Sequence, residues 1–366
     1  MNAECRVQNE GSRSGSALSI LHSAHCTPMT TPLNWGILGA AHIATSQFIP
    51  ALQQGRKHRV VAIASRDAVR AAAAARSLGI PKSYGAYESL LQDDEVEAIY
   101  NPLPNHLHVP WSVRALEAGK HVLCEKPIAI NAAEARTLAE VQKRTGKLVS
   151  EAFMVRSHPQ WLKARELVTS GTIGELTLVT GHFSYSRRDP LDVRSRVEFG
   201  GGVLLDIGCY PITMSRWLFA AEPTRVMAMI DRDPEMKIDR LTSGLLEFPG
   251  GRQAAFTCAG QLALHQTMQL YGPKGRIQFE IPFNPPHDRV SRLVVDDGRD
   301  LTGGGRSIIE IPPANQFLLQ ADRFADAVRG NGEVPVGLED SIANMAVIDA
   351  LFRSAESGRA VVTGDW

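Results

Sequence analysis

Asp206 and Tyr210 stand four residues apart in GGGVLLDIGCYP, Gly200 to Pro211, and Lys126 stands in Glu125-Lys126-Pro127 directly after the apolar run HVLC. Residues at i and i+4 share one face of a helix, so the spacing predicts a carboxylate and a phenol presented together. The three glycines ahead of them predict a backbone that comes close to a ligand. A lysine just past a strand of an open α/β sheet points into the crevice beyond the carboxyl ends of the strands, where such sheets bind ligands. An ammonium partly removed from water there is expected to have a lowered pKa, which suits proton transfer at a hydroxyl. Taken singly, a lysine after a strand is also an ordinary solvated group, and a tyrosine in an amphipathic helix an ordinary buried aromatic.

The elements that must position these residues fall into two textures. From Leu33 to Phe153, short apolar runs (NWGILGA, HRVVAIAS, VEAIYNPLP, HVLCEKP, KLVSEAF) alternate with helical stretches such as DAVRAAAAARSLG and NAAEARTLAEVQKRTG. Asn131 and Glu134 have the spacing of a capping box. This alternation predicts βαβ units and a doubly wound parallel sheet. After Phe153, runs such as LTLVTGHFSYS, TRVMAMIDRD, SGLLEFPGGRQAAFTCAG and GRIQFEIPF alternate apolar and polar residues between glycines and prolines, as in a mostly antiparallel sheet with one solvated face. The fold class expected is therefore α/β: a doubly wound parallel-sheet domain over residues 31–152 and a second domain with a mostly antiparallel sheet over 153–366. Residues 1–30 lack periodicity and are expected to form a disordered tail, with Met29 the expected true start.

The first strand-to-helix turn, Gly39-Ala40-Ala41-His42-Ile43-Ala44, sits where a dinucleotide fold carries GxGxxG, and Gly39 supplies the tight turn. The second strand ends in Ser65-Arg66 where an NAD site places an acid. Arg66, with Arg70 one turn on, suits a 2′-phosphate, so NADP is expected over NAD; the other reading is that Arg66 and Asp67 begin a solvated helix face. Lysine plus arginine equals aspartate plus glutamate, 39 each, which offers no global field for nucleic acid or an anionic membrane. No apolar run has the length of a membrane helix. Five scattered cysteines form no CxxC pair, so neither a disulfide framework nor a metal site is expected, and a cytoplasmic location follows from that reading.

Through GILGAAHIA, IASRD, NPLPNHLH, AGKHVLCEKP, EAFMVRSHPQW, GGGVLLDIGCYP and NMAVIDALFRSAESGR, which span Gly36 to Arg359, the sequence resembles the glucose-fructose oxidoreductase, inositol dehydrogenase and rhizopine catabolism family, Gfo/Idh/MocA. The resemblance implies an N-terminal Rossmann domain and a C-terminal α/β domain with a large, mostly antiparallel open sheet, NAD(P)-dependent, metal-free oxidation or reduction of a carbinol carbon in a sugar, cyclitol or diol, and a homodimer or homotetramer built through the C-terminal sheet. It makes Lys126 catalytic. Tyrosine at 210, where many members have histidine, resembles the subgroup of glucose-fructose oxidoreductase, NADP-dependent xylose dehydrogenase and dimeric dihydrodiol dehydrogenase. Tyr210 is then expected to exchange a proton with the substrate oxygen, helped by the Lys126 cation because a free phenol titrates near about 10, and Asp206 to orient the sugar or the lysine. The cofactor side implied is Gly39, Ala41, His42, Ile43, Ser65, Arg66, Arg70, Pro104, Asn105, His106, Glu125 and Lys126. The substrate side is Arg156, His158, Asp192, Arg194 and Asp206, with Asp192-Val193-Arg194 standing where the family has Asn-Ile-Arg. The leading expectation is an NADP-dependent aldose dehydrogenase that forms a lactone. Its rivals are a dihydrodiol or cyclitol dehydrogenase, a sugar-to-sugar oxidoreductase that keeps its NADP, and a non-catalytic NADP-binding regulator.

Overall fold

Six short strands rich in Val, Ile, Leu and Ala pair in parallel: β1 Leu33–Leu38, β2 His58–Ala64, β3 Lys82–Tyr84, β4 Ala98–Asn101, β5 His121–Cys124 and β6 Val149–Glu151. A computed structural model describes residues 31–364, and in it the strand order is β3-β2-β1-β4-β5-β6. The order reverses between β1 and β4, which opens a crevice outside their carboxyl ends. Helices cover both faces, so β1, β2, β4 and β5 are almost wholly buried and need no polar alternation. The edge strand β3 is not among the predicted strands, because three half-exposed residues carry no period. Helix Ala68–Leu78 begins on Asp67, whose carboxylate accepts from the Val69 and Arg70 amides, and ends on left-handed Gly79. Asn131 caps helix Ala132–Thr145 as its spacing predicts, accepting from the Glu134 amide at 2.8 Å.

Nine strands form the second sheet: β7 Leu178–Ser186, β8 Arg225–Arg232, β9 Asp239–Glu247, β10 Gln253–Ala259, β11 Gln261–Gly272, β12 Gly275–Phe279, β13 Ser291–Asp296, β14 Arg306–Ile311 and β15 Val361–Val362. Their order is β14-β13-β12-β11-β7-β10-β9-β8-β15. Every pair is antiparallel except β7 with β10. One face takes helix Cys209–Phe219 against β7 and β10 and helix Leu338–Ser357 against β8; the latter helix also packs on Ala132–Thr145. A single apolar core therefore runs beneath both sheets, and the chain from Pro32 on is one compact unit. The expected division after residue 152 lies just past β6. The expected tail, Met29 and two of the cysteines lie outside the described residues. No described helix is long and apolar enough to cross a membrane, and among the described residues no cluster of His, Cys, Asp and Glu could hold a metal.

Candidate active site

Lys126 lies two residues beyond β5, and its Nζ donates to the Asp206 carbonyl at 2.6 Å and to Asp206 Oδ1 at 3.3 Å. The other carboxylate oxygen, Oδ2, accepts from Tyr185 Oη at 2.8 Å and from Arg194 Nε at 3.0 Å. Three side chains, from the segment after β5, from β7 and from the turn at Val193–Ser195, thus meet on one carboxylate carried by the helical stretch that starts at Leu204. Burial would raise the Asp206 pKa, but Lys126, Arg194 and the Tyr185 hydrogen bond outweigh it and hold the group at about 2. Lys126 departs from expectation. Burial does work to lower its pKa, yet the negative charge around it, Asp206 above all among ionised groups, prevails and the net direction is up. The lysine is an ammonium at neutral pH. Behind it Glu125 is buried and accepts from Tyr100 Oη at 2.6 Å, and burial pushes its pKa up.

Asp206 and Tyr210 do face Lys126 together, but the phenol is turned differently from the expectation. Lys126 Nζ lies 5.1 Å from the centroid of the Tyr210 ring, over its face. The Tyr210 hydroxyl donates instead to Met154 Sδ at 3.6 Å, and the ring packs among Phe153, Phe183 and Phe283. Burial raises its pKa, and the Lys126 charge beside it does not reverse that. The phenol joined to the Lys126 carboxylate network is Tyr185, which the sequence reading missed. Its signal was present: Tyr185 lies two residues from buried Phe183 on the same face of β7 and stands near the end of that strand.

Two further residues expected on the substrate side make their polar contacts within the protein. Arg156 pairs with Asp340 at 2.7 Å and stacks on Trp217 at 4.8 Å, so its charge ties a turn to helix Leu338–Ser357. His158 is fully buried; its Nδ1 caps helix Pro159–Thr169 by accepting from the Gln160 amide at 3.2 Å. Burial lowers its pKa to about 4 and keeps it neutral. Arg194 meets Asp206 as described, and Asp192 braces it, accepting from its backbone amide at 2.9 Å and its Nη1 at 3.4 Å.

The missing side chains of the three glycines are also required within the protein itself. A Cβ on Gly200 would lie 2.6 Å from Ile130 Cγ2, one on Gly201 2.5 Å from the Arg194 carbonyl, and one on Gly202 1.8 Å from Asp239 Oδ1. The missing side chains let this segment press against the parallel-sheet half and against a buried carboxylate. Asp239 Oδ2 in turn accepts from the Leu204 amide at 2.7 Å, which satisfies the start of the π-helical turn Leu204–Gly208 that carries Asp206. Asn105 and His106 reach the same segment: Asn105 Nδ2 donates to the Gly200 carbonyl at 2.8 Å, and the His106 ring stacks on Phe199 at 4.5 Å. Half-buried Pro104 precedes them.

The residues of the first turn fit a dinucleotide. Gly39 has φ +84°, a left-handed conformation, and a Cβ there would meet Leu103 at 3.0 Å. Ala41 and Ile43 are half-buried and His42 is exposed at the start of the helical stretch behind it. Ser65 is buried at the end of β2, and its Oγ accepts from the Asp67 amide at 3.2 Å. Because Asp67 is engaged as a helix cap, it is not an acid held ready for ribose hydroxyls. Arg66 is exposed, while Arg70 Nη2 donates to the Ala40 carbonyl at 2.8 Å, which holds a guanidinium beside the phosphate turn.

Comparison with known proteins gives concordant matches in both halves. The model of the oxidoreductase family with an NAD-binding Rossmann fold, GFO_IDH_MocA, matches residues 33–153, and that of the GFO/IDH/MocA C-terminal domain matches residues 161–278. An uncharacterized oxidoreductase of Rhizobium meliloti, ORF334, is 47% identical over 326 residues, covering 89% of this chain and 98% of its own. The NADP-dependent D-xylose 1-dehydrogenase 2 of Haloferax volcanii is 38% identical over 330 residues, with coverage of 89% and 98%. Among solved structures, the 3-ketoreductase KijD10 of Actinomadura kijaniata, in complex with NADP and TDP-benzene, superposes with a TM-score of 0.83 at 30% identity, covering 88% of this chain and 98% of its own.

Proposed function

The chain belongs to the Gfo/Idh/MocA family of NAD(P)-dependent oxidoreductases, and on that premise we propose that it is an NADP-dependent dehydrogenase that oxidises the anomeric C1 hydroxyl of an aldose to a lactone. The observation that carries the reading is the Lys126 ammonium held on the Asp206 carboxylate at the mouth of the parallel sheet. In this reading residues 31–152 bind the cofactor, through Gly39, Ala41, His42, Ile43 and Ser65, with Arg66 and Arg70 on the 2′-phosphate and Pro104, Asn105, His106 and Glu125 on the nicotinamide side. Residues 153–366 bind the sugar and mediate assembly. The cofactor, when bound, supplies the hydride acceptor or donor. The sugar preference is supported by the 38% identity to the Haloferax xylose dehydrogenase. Among the described residues the free thiols Cys124, Cys209 and Cys258 are buried, which suits a reducing cytoplasm.

Lys126 is the residue that holds the substrate proton. As an ammonium it donates to the oxygen in the reductive direction; as an amine it takes the hydroxyl proton in the oxidative one. Asp206 fixes the lysine, and Tyr185 and Arg194 fix Asp206. Because the Lys126 pKa is raised, the acid form is present at neutrality and the base form is scarce. Oxidation should therefore accelerate by about tenfold per pH unit from about pH 7 to about 9, whereas the reverse reduction stays flat over that window. Asp206, at about 2, remains ionised throughout and shapes neither limb. Initial rates in both directions across pH check this; a reductive rate that falls between about pH 6 and 8 would speak against Lys126 as the acid.

The phenols separate by mutation. Tyr185→Phe removes a hydrogen bond to an ionised carboxylate and should lower kcat by about tenfold or more, while Tyr210→Phe, losing only a weak contact to sulfur, should stay within about threefold. A reversed order in steady-state kinetics would restore Tyr210 as the proton-transfer group.

Assembly is proposed to be a homodimer or homotetramer through the open face of the nine-stranded sheet. Met227, Met229, Leu241 and Leu245 lie exposed on β8 and β9, with Met227 opposite Leu245 in register, an apolar face of the kind that marks an interface. Sedimentation velocity on the native protein should give a multiple of the chain mass; a monomer at micromolar concentration would reject the interface.

A further inference from the structure

Beside the Lys126–Asp206 pair the ends of β7 and β10 and the start of β9 enclose a cleft whose lining includes Tyr185, Arg187, Arg194, Ser195, Arg240 and Gln261. Every charged side chain lining it is a guanidinium. Carboxylates hold these forks from outside the lining: Asp192 pairs with Arg187 and Arg194, Asp206 accepts from Arg194 Nε at 3.0 Å, and Asp231 accepts from Arg240 Nε at 2.7 Å. Each fork is held on one side, and among the described residues no acceptor is present for Arg194 Nη2, for Arg187 Nη2, or for either terminal nitrogen of Arg240. A guanidinium carries five donors and no acceptor, so the charged part of this lining is matched to a ligand group that only accepts. Sugar hydroxyls both donate and accept, whereas these three guanidiniums, each paired with a carboxylate on its far side, present only donors to the cleft. A carboxylate or a phosphate fits the forks in bidentate fashion.

Resting on the dehydrogenase reading, we propose that the substrate is an aldose bearing an anionic group, carboxylate or phosphate, seated among Arg187, Arg194 and Arg240. Tyr185 and Arg194 belong both to this cleft and to the Asp206 network, so a ring whose carbinol faces Lys126 has a substituent within reach of the forks. The pairing of Arg187 and Arg240 with carboxylates sets the orientation before a ligand arrives, which removes part of the ordering cost of binding.

The test compares a neutral hexose, the corresponding hexuronate and a hexose phosphate with the NADP-loaded full chain, by initial rate and by titration calorimetry. One of the anionic sugars should exceed the neutral one in kcat/KM by about tenfold or more, the range of a charge-assisted bidentate contact. Arg187→Gln and Arg240→Gln should each lower the ratio of anionic to neutral kcat/KM by about tenfold, a ratio that general damage to the fold leaves alone. Preference for the hexuronate identifies a carboxylate site and preference for the hexose phosphate a phosphate site. Equal kcat/KM for charged and neutral sugars, or a ratio that neither replacement moves, overturns the proposal. Calorimetry separates the two readings: tighter binding of an anionic sugar without turnover upholds the subsite and removes the dehydrogenase, whereas turnover of the neutral sugar with no gain from charge removes the subsite alone.

Discussion

Lys126→Met should lower kcat by about a hundredfold or more in both directions while leaving NADP affinity within about threefold, the range for losing a positioned proton-transfer group. Methionine keeps the length of the side chain and removes its donors. The two hydrogen bonds at 2.6 and 3.3 Å to Asp206 disappear with it. A buried carboxylate would then be left with Tyr185 and Arg194 alone, and the Asp206 pKa should climb from about 2 because its first opposing charge is gone. The measurement is steady-state kinetics beside a fluorescence titration with NADPH. Near-native turnover would remove Lys126 from the chemistry; loss of cofactor binding to the same extent as turnover would mean that it supports the cofactor instead.

The second large effect concerns the fold under the site. Gly202→Ala should destabilise the protein by about 3 kcal/mol or more, because its φ is +110° and the new Cβ would fall 1.8 Å from Asp239 Oδ1. Asp239 cannot simply step aside. It is 2% exposed, accepts from the Leu204 amide at 2.7 Å, and burial already pushes its pKa up to about 6. Displacing it strips the start of the turn that presents Asp206, so activity should fall with stability. Gly251→Ala is the control: its φ is +76° but nothing lies within 4 Å of the added carbon, so only backbone strain of about 1 kcal/mol applies. Thermal unfolding of both variants checks the contrast, and equal losses in the two would refute the role given to Asp239.

Much of this architecture was legible because local signals and tertiary demand agree. The apolar runs WGIL, VVAIA and VLC are buried on both faces and so carry no polar alternation, while Asp67, Asn131, Gly79 and Gly146 mark helix ends through their own local chemistry. Lys126 was legible from its place after β5, and Asp206 from its spacing. What escaped depends on partners far along the chain. Arg156 is a charged residue near the site in sequence, and only the fold brings it to Asp340, 184 residues away. His158 is likewise decided by burial, which no pattern of its neighbours announces. Tyr185 reaches Asp206 across the packing of β7 on the Leu204–Gly208 turn, and Tyr210 turns its hydroxyl to Met154, 56 residues away. Three consecutive glycines signal permissive backbone but not its use. Here it is close packing against Ile130, the Arg194 carbonyl and Asp239.

The central claim is tested most directly by the initial rate of nicotinamide reduction, with NADP and with NAD, over a panel of aldoses, charged aldoses, inositols and cyclic diols. The account predicts reduction of NADP by an aldose, with NADP exceeding NAD in kcat/KM by about tenfold or more through the charge of Arg66 and Arg70. A preference for NAD, or turnover of a cyclic diol with none of any aldose, would contradict it.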